Sequence, residues 1–337
     1  MAASHKPATA KSTTPMLDRI LSIEIVRVTE RAAVAAARLR GRGNEKDADQ
    51  AAVDGMRREL NKLPIEGTVV IGEGERDEAP MLFIGETLGN KKGGPKVDIA
   101  VDPLEGTTLC AKDMPGAIAT MAMAAGGTLL NAPDVYMEKI AVGPGYPADV
   151  VDLDAPAEEN IRALAKAKGV RLADITALIL DRPRHADLVA AVRKTGAAVR
   201  FITDGDVAGV IHTADPDTTG IDIYMGIGGA PEGVLAAAAL ACIGGQIQGR
   251  LVLDTEEKRE RARRMGIKDP RKKYAMHDMV QGDCVFSATG VTTGSMLQGV
   301  RFKRGVIETE TVVMRSATGT VRWIRAEHRY LDKFKVE

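Results

Sequence analysis

From residue 177 onward the sequence alternates short apolar runs with helical stretches, and few folds accommodate that alternation. Ala177-Leu178-Ile179-Leu180 reads as a strand, and the pattern from His185 to Lys194 reads as a helix. Ala198 to Thr203 is a second strand, and a short helix follows Asp204. Gly220 to Met225 is a third strand, followed by a glycine loop and a helix from Pro231 to Ala241. Strands that alternate with helices predict parallel β-α units, whose ligand sites lie at the carboxyl ends of the strands. Chemistry is therefore expected in the residues just past each strand.

The first half supplies the other elements. Leu17, Ile20, Leu21, Ile25, Val28 and Ala32 recur at spacings of three and four, which predicts a helix from Met16 to about Arg40, with Gly41 and Gly43 after it. A second helix is expected from Ala48 to Lys62. Thr68 to Ile71 is a β-branched strand that stops at Gly72. Val97 to Asp102 is another, expected to stop at Pro103. Ala117–Ala124 and Thr128–Leu130 flank Gly126-Gly127 and read as a hairpin. Met1 to Pro15 is polar, lacks the apolar stretch of a secretory signal and reads as a disordered tail. Gly143 to Pro147 is the expected linker between an α/β unit over 16–145 and a second over 146–337. Thr255 to Arg264 is charge-dense and reads as a solvated helix.

Composition narrows the function. Lys+Arg and Asp+Glu both number 46 and aromatics are 3%. Neither the basic surplus nor the stacking platforms of a nucleic-acid binder are present. No apolar run approaches the ~20 residues that span a bilayer, so no membrane partner is expected. Cys110, Cys242 and Cys284 are too far apart for a CxxC site, which fits a reducing cytoplasm.

Acidic residues gather at the predicted strand and helix ends. Asp102 ends one strand and Glu105 comes soon after, within Asp102-Pro103-Leu104-Glu105-Gly106-Thr107-Thr108. Glu73 and Glu75 lie just past another strand. Asp49 lies near a helix start, and Glu232 in the first turn of a helix. Carboxylates on one rim repel unless cations lie between them, and hard oxygen donors suit Mg²⁺ or Mn²⁺. The five histidines show no paired metal spacing. The segment Gly226-Ile227-Gly228-Gly229 imitates a dinucleotide fingerprint. Its third glycine is misplaced, and Glu232 would face a pyrophosphate with nothing to neutralise it. Arg182 and Arg184 flank Pro183 between a strand and a helix, where two guanidiniums suit a phosphate that is held but not cleaved.

These residues carry a resemblance. Segments 71–86, 97–108, 131–145, 182–188, 204–208, 226–234 and 285–290 together resemble class II fructose-1,6-bisphosphatases of bacteria, within the lithium-sensitive phosphatase superfamily that includes inositol monophosphatase. The resemblance runs from about Leu17 to the C-terminus; the segment 102–107 alone would indicate only the superfamily. It implies a layered αβαβα sugar-phosphatase fold of two α/β halves, in a homo-oligomer (dimer or tetramer). It implies that Asp49 and Glu73 bind one metal, and Asp102, Glu105 and Glu232 a second. Gly106, Thr107 and Thr108, beside Glu105, would hold the phosphate to be cleaved. Tyr136, Arg182, Pro183, Arg184, Asp204, Gly205, Asp206 and Gly229 would hold the sugar and its distal phosphate. Thr107, with Asp49 as partner by superfamily analogy, would orient and activate the attacking water. The sequence departs from the family at Asn44-Glu45, where members often carry Asp-Lys. The implied substrate is a small sugar bisphosphate, fructose 1,6-bisphosphate first, with sedoheptulose 1,7-bisphosphate and inositol monophosphate as alternatives. A non-catalytic sugar-phosphate sensor is the alternative outside enzymes.

Overall fold

The computed structural model describes residues 21–72, 81–90 and 92–335. Helix α1 (Leu21–Ala37) buries Ile25, Val28, Ala32 and Ala36, the stripe that the periodicity predicts. Helix α2 (Glu45–Leu60) starts earlier than the apolar pattern because Asn44 caps it, accepting the Asp47 N–H at 3.2 Å. It packs closely on α1 at Gly55, where a Cβ would lie 3.0 Å from the Arg31 carbonyl.

Strands β1 (Glu66–Ile71), β2 (Thr87–Leu88), β3 (Lys96–Glu105) and β4 (Ile118–Ala125) come next, with a short α3 (Thr107–Ala111) between the last two. Pro103 does not end β3. The strand runs on to Glu105, with its register against β4 shifted between Asp102 and Glu105. A proline removes one ladder donor without ending the strand when the pairing is already irregular there. The expected hairpin at Gly126-Gly127 does not form either. Asp98 Oδ2 accepts the N–H groups of Thr128 (2.8 Å) and Leu129 (3.0 Å), and Leu129 bridges to Val280 instead. A carboxylate satisfying the turn's backbone outcompetes a weak two-stranded ladder.

Strand β5 (Tyr136–Val142) opens a second sheet. Then come α4 (Ala157–Lys168), β6 (Thr176–Leu180), α5 (Ala186–Lys194), β7 (Ala198–Ile202), α6 (Asp206–Ile211) and α7 (Pro216–Thr219). β8 (Ile223–Gly229) absorbs the expected glycine loop: Gly226 to Gly229 pair with β5, and Gly226 has φ of +143°. Helix α8 (Ala230–Ile243), β9 (Gln246–Leu251), α9 (Glu256–Arg264), β10 (Tyr274–Ala275) and α10 (Met276–Met279) complete this part. The chain then returns to the first sheet with β11 (Cys284–Gly290), β12 (Arg301–Lys303), β13 (Val306–Arg315) and β14 (Thr320–His328).

The first sheet has the order β12-β13-β11-β4-β3-β1-β2, with β14 along β13; the second is β10-β9-β5-β8-β6-β7. β6 runs parallel to both β7 and β8, as the β-α alternation predicts. α1 and α2 share one apolar cluster with the first sheet, and α4 and α5 line another with β6 and β8. Between the sheets lies α8, which is apolar all round and buried nearly throughout. The result is the expected αβαβα layering. Among the described residues, no helix is long and apolar enough to cross a membrane.

Candidate active site

A cavity of about 660 Å³ opens where the two sheets meet the start of α8. Its walls include Asp49, Asp102, Glu105, Gly106, Thr107, Tyr136, Arg182, Arg184, Asp204, Gly205, Asp206, Gly229 and Glu232. Thirteen residues expected from the sequence thus meet in one space, from helices, strand ends and turns on both sheets. Thr108 and Pro183 flank it: the Thr108 hydroxyl donates to Glu45 (2.8 Å), and Pro183 starts the 3-10 turn that carries Arg184. Glu73 and Glu75 fall outside the described residues.

Local geometry explains how the acids come together. The irregular step in β3 carries Glu105 past Asp102, and Gly106 then turns the chain with φ of +85°, entering α3. A side chain at Gly106 would meet Leu109 at 2.9 Å. Glu105 Oε1 accepts the Val207 N–H at 2.6 Å, tying the first sheet to α6 of the second half. Glu232 folds back on the start of its own helix. A Cβ at Gly229 would lie 1.8 Å from Glu232 Oε2, so a side chain there would force the Glu232 carboxylate to turn away.

Electrostatics set these carboxyls apart. Burial, then repulsion from Glu232 and Asp49, pushes the Asp102 carboxyl well above its ordinary range. Burial, then Asp102 and Asp206, does the same to Glu105. Burial and Asp206 push Glu232 up to about 7, although Lys139 pulls it down. Burial also raises Asp204. Glu105 Oε2 and Glu232 Oε2 are buried and accept no hydrogen bond from the described residues. Buried oxygens of this kind need a cation or a proton. The donors therefore suit a hard divalent ion, with Asp49, Asp102, Glu105 and Glu232 as the available ligands. Among the described residues, no three such groups converge in ligating geometry.

Lys139 is a buried base beside the site that sequence reasoning missed. Its side chain is fully buried on β5, where it pairs with Asp206 and donates to the Gly229 carbonyl at 2.8 Å. Tyr224 also donates to Asp206 Oδ2, at 3.3 Å. One oxygen of Asp206 is therefore engaged inside the protein. Asp204 Oδ1 accepts the Gly205 N–H at 3.1 Å.

Arg182 and Arg184 line the same cavity. Arg184 donates to the Ile227 carbonyl through Nη2 (2.7 Å) and lies 4.7 Å over the Tyr136 ring. His185 closes the same junction. Its Nε2 accepts the Ile227 N–H at 2.8 Å, so Nδ1 carries the proton and donates to the Leu180 carbonyl at 2.7 Å. Burial lowers the His185 pKa, which favours this neutral form. The glycine at 226 is required here, because a Cβ would sit 3.1 Å from the His185 ring.

Comparison with known proteins points the same way. The family model described as bacterial fructose-1,6-bisphosphatase, glpX-encoded, matches residues 19–328. The chain is 43% identical, over 336 residues, to the D-fructose 1,6-bisphosphatase class 2/sedoheptulose 1,7-bisphosphatase of Synechococcus sp. (strain JA-3-3Ab). That match covers 93% of this chain and 96% of the relative. The protein of the same name from Synechococcus elongatus is 40% identical, over 94% of this chain and 98% of its own length.

Proposed function

The chain belongs to the bacterial, glpX-encoded fructose-1,6-bisphosphatase family, and from that premise we propose that it hydrolyses fructose 1,6-bisphosphate to fructose 6-phosphate and inorganic phosphate. The observation that carries this reading is a single cavity lined both by the carboxylates Asp49, Asp102, Glu105 and Glu232 and by the guanidiniums of Arg182 and Arg184. A substrate with a phosphate at each end satisfies both. Sedoheptulose 1,7-bisphosphate is the second substrate, since the relatives' names join the two activities.

Asp49, Asp102, Glu105 and Glu232, with Glu73, would hold Mg²⁺ or Mn²⁺. Bound there, such ions neutralise the reacting phosphate and lower the pKa of a ligated water. The chain's own residues do the rest. Gly106, Thr107 and Thr108 hold the phosphate to be cleaved. The Thr107 hydroxyl, with Asp49 across the same cavity, orients the water for in-line attack. Arg182, Arg184 and Tyr136 hold the distal phosphate, and Asp204 and the Gly205 turn hold the sugar. Positioning and charge dominate, as phosphoryl transfer requires. The enzyme of this reading is cytoplasmic and self-associates as a dimer or tetramer, which light scattering on the purified protein would test.

The deciding experiment is phosphate release from a panel of sugar bisphosphates and monophosphates with Mg²⁺ and with Mn²⁺. Bisphosphates should be turned over well above monophosphates. Chelator should abolish release, and added Mg²⁺ or Mn²⁺ should restore it. Full turnover in chelator would refute the metal reading, and an absence of bisphosphate turnover would refute the function.

A further inference from the structure

The helix that the sequence presents as a solvated face reaches the active-site cavity. Of the bases on α9, Lys258 alone lines it, in a cavity that Asp134, Tyr136 and Arg184 also line. Arg259 and Arg263 are committed elsewhere. Arg259 donates to Glu256 Oε2 (2.9 Å) and to the Leu253 carbonyl (2.9 Å). Arg263 pairs with Glu256 and Glu260, at 2.7 and 2.6 Å.

Arg261 lies one turn beyond Lys258, and its guanidinium donates to the Asp134 carbonyl at 3.3 Å. That contact fixes α9 against the loop before Tyr136. The Tyr136 carbonyl accepts the Val252 N–H at 2.8 Å, which holds the chain entering α9 to β5. Lys258 is thus held at the cavity by its helix rather than by a loop.

The Lys258 ammonium is paired with Asp254 at 2.6 Å, and the two side chains are 30% and 60% exposed. A pair this open to water contributes little, so a stronger anion can displace the aspartate. A phosphate dianion is such an anion, and a lysine on a flexible stem can turn to it without moving the helix. Arg184, by contrast, is already held by the Ile227 carbonyl and stacked over Tyr136.

We propose that Lys258 is a specificity-determining residue that turns from Asp254 to the non-reacting phosphate of the substrate, completing a clamp with Arg182 and Arg184. This rests on the bisphosphatase reading above and adds a residue to its distal-phosphate contacts. Asp254 then acts as a competitor that occupies Lys258 when no substrate is bound.

The test uses the full-length enzyme with divalent cation, as wild type, Lys258→Met and Asp254→Asn. Steady-state kinetics are measured on fructose 1,6-bisphosphate and on fructose 1-phosphate, which lacks the distal phosphate. Fructose 6-phosphate binding is followed by calorimetry. For Lys258→Met, KM for the bisphosphate should rise about 5- to 30-fold, the loss expected for one partly exposed charge-assisted contact. Its kcat should change far less, because the contact is nearly equal in ground and transition states. Fructose 6-phosphate binding should weaken in parallel, while KM for fructose 1-phosphate should hold within about twofold. Asp254→Asn, which removes the competitor, should lower KM for the bisphosphate. An unchanged bisphosphate KM in Lys258→Met would overturn the assignment, as would an equal rise for fructose 1-phosphate. A rise in KM for Asp254→Asn would do the same, since it would make the pair a structural strut. Wild-type enzyme that turns over no bisphosphate would instead overturn the function itself, and this assignment with it.

Discussion

Lys139→Met should be among the most destabilising single changes near the site. The lysine side chain is fully buried and its Asp206 partner is 6% exposed. Backbone packs directly on the pair: a Cβ at Gly228 would fall 1.8 Å from Asp206 Oδ2 and 3.0 Å from Lys139 Nζ. Methionine retains most of the stem but removes the charge and the bond to the Gly229 carbonyl. Asp206 is left buried, with only the Tyr224 hydroxyl against the paired oxygen. Breaking a buried pair from one side typically costs about 3–5 kcal/mol, a large share of the roughly 5–15 kcal/mol that holds a domain folded. Urea unfolding followed by circular dichroism, in chelator so that cation binding does not contribute, measures the loss. Adding Asp206→Asn to Lys139→Met removes the uncompensated charge and should recover at least about 1 kcal/mol. A cost below about 1 kcal/mol for Lys139→Met, the value of a surface pair, would refute the reasoning. So would a double variant less stable than the single one.

Thr107→Ala should lower kcat by roughly 10²–10⁴-fold while metal content stays at the wild-type level; loss of the metals, or wild-type kcat, would make Thr107 a turn residue only. Arg184→Ala should raise KM for the bisphosphate much more than it lowers kcat, and a collapse of kcat at constant KM would contradict its place on the distal phosphate. Gly228→Ala should lower the melting temperature markedly, because its methyl would overlap Asp206 Oδ2; a melting temperature within a degree or so of wild type would refute that close packing. Burial, then the nearby Lys333, holds His328 down at about 4. The folded protein therefore resists protonation there, so stability should be full above the ordinary histidine pKa of about 6.5 and fall as pH drops toward 4. Burial raises the neighbouring Glu30 carboxyl, which contributes with the opposite sign above the usual glutamate range. Unfolding midpoints from about pH 4 to 8 should show a shallower acid slope in His328→Gln than in wild type, and equal slopes would count against the assignment.

The elements whose hydrophobic period agrees with their burial were legible from sequence. α1 buries the stripe that its spacing predicts, and the alternation after residue 177 gives β6, β7 and β8 with their helices. The failures depended on contacts distant in sequence. Pro103 is a strand breaker by local rules, but β3 is already out of register there. Gly126-Gly127 is a hairpin signal, yet Asp98 captures the turn from about thirty residues away. The glycines after Met225 read as a loop because flexibility is their usual use. In the structure they are a strand, and their lack of side chains makes room for His185, Asp206 and Glu232.

The same contrast runs through the site. Its acids are legible because each lies close to a strand end or a helix start that local sequence patterns predict. The two lysines are not. Lys139 comes after Glu138 in a strand, a pairing that reads as a solvated edge until β8 and β9 are known to flank it on both sides. Lys258 sits among nine residues of which eight are charged, so no pattern singles it out. Yet the cavity's use depends on both. Carboxylates crowded into a buried rim repel one another, and Lys139, behind them, is an internal cation that does not lie on the cavity wall. It pulls the Glu232 carboxyl down. A cation lining the cavity beside these carboxyls would compete with a divalent ion for the same oxygens. Arg182, Arg184 and Lys258, by contrast, line the cavity itself. One site therefore buries one base and presents three others to the cavity. That division is fixed by which strand or helix carries each base, and so appears only once the chain is folded.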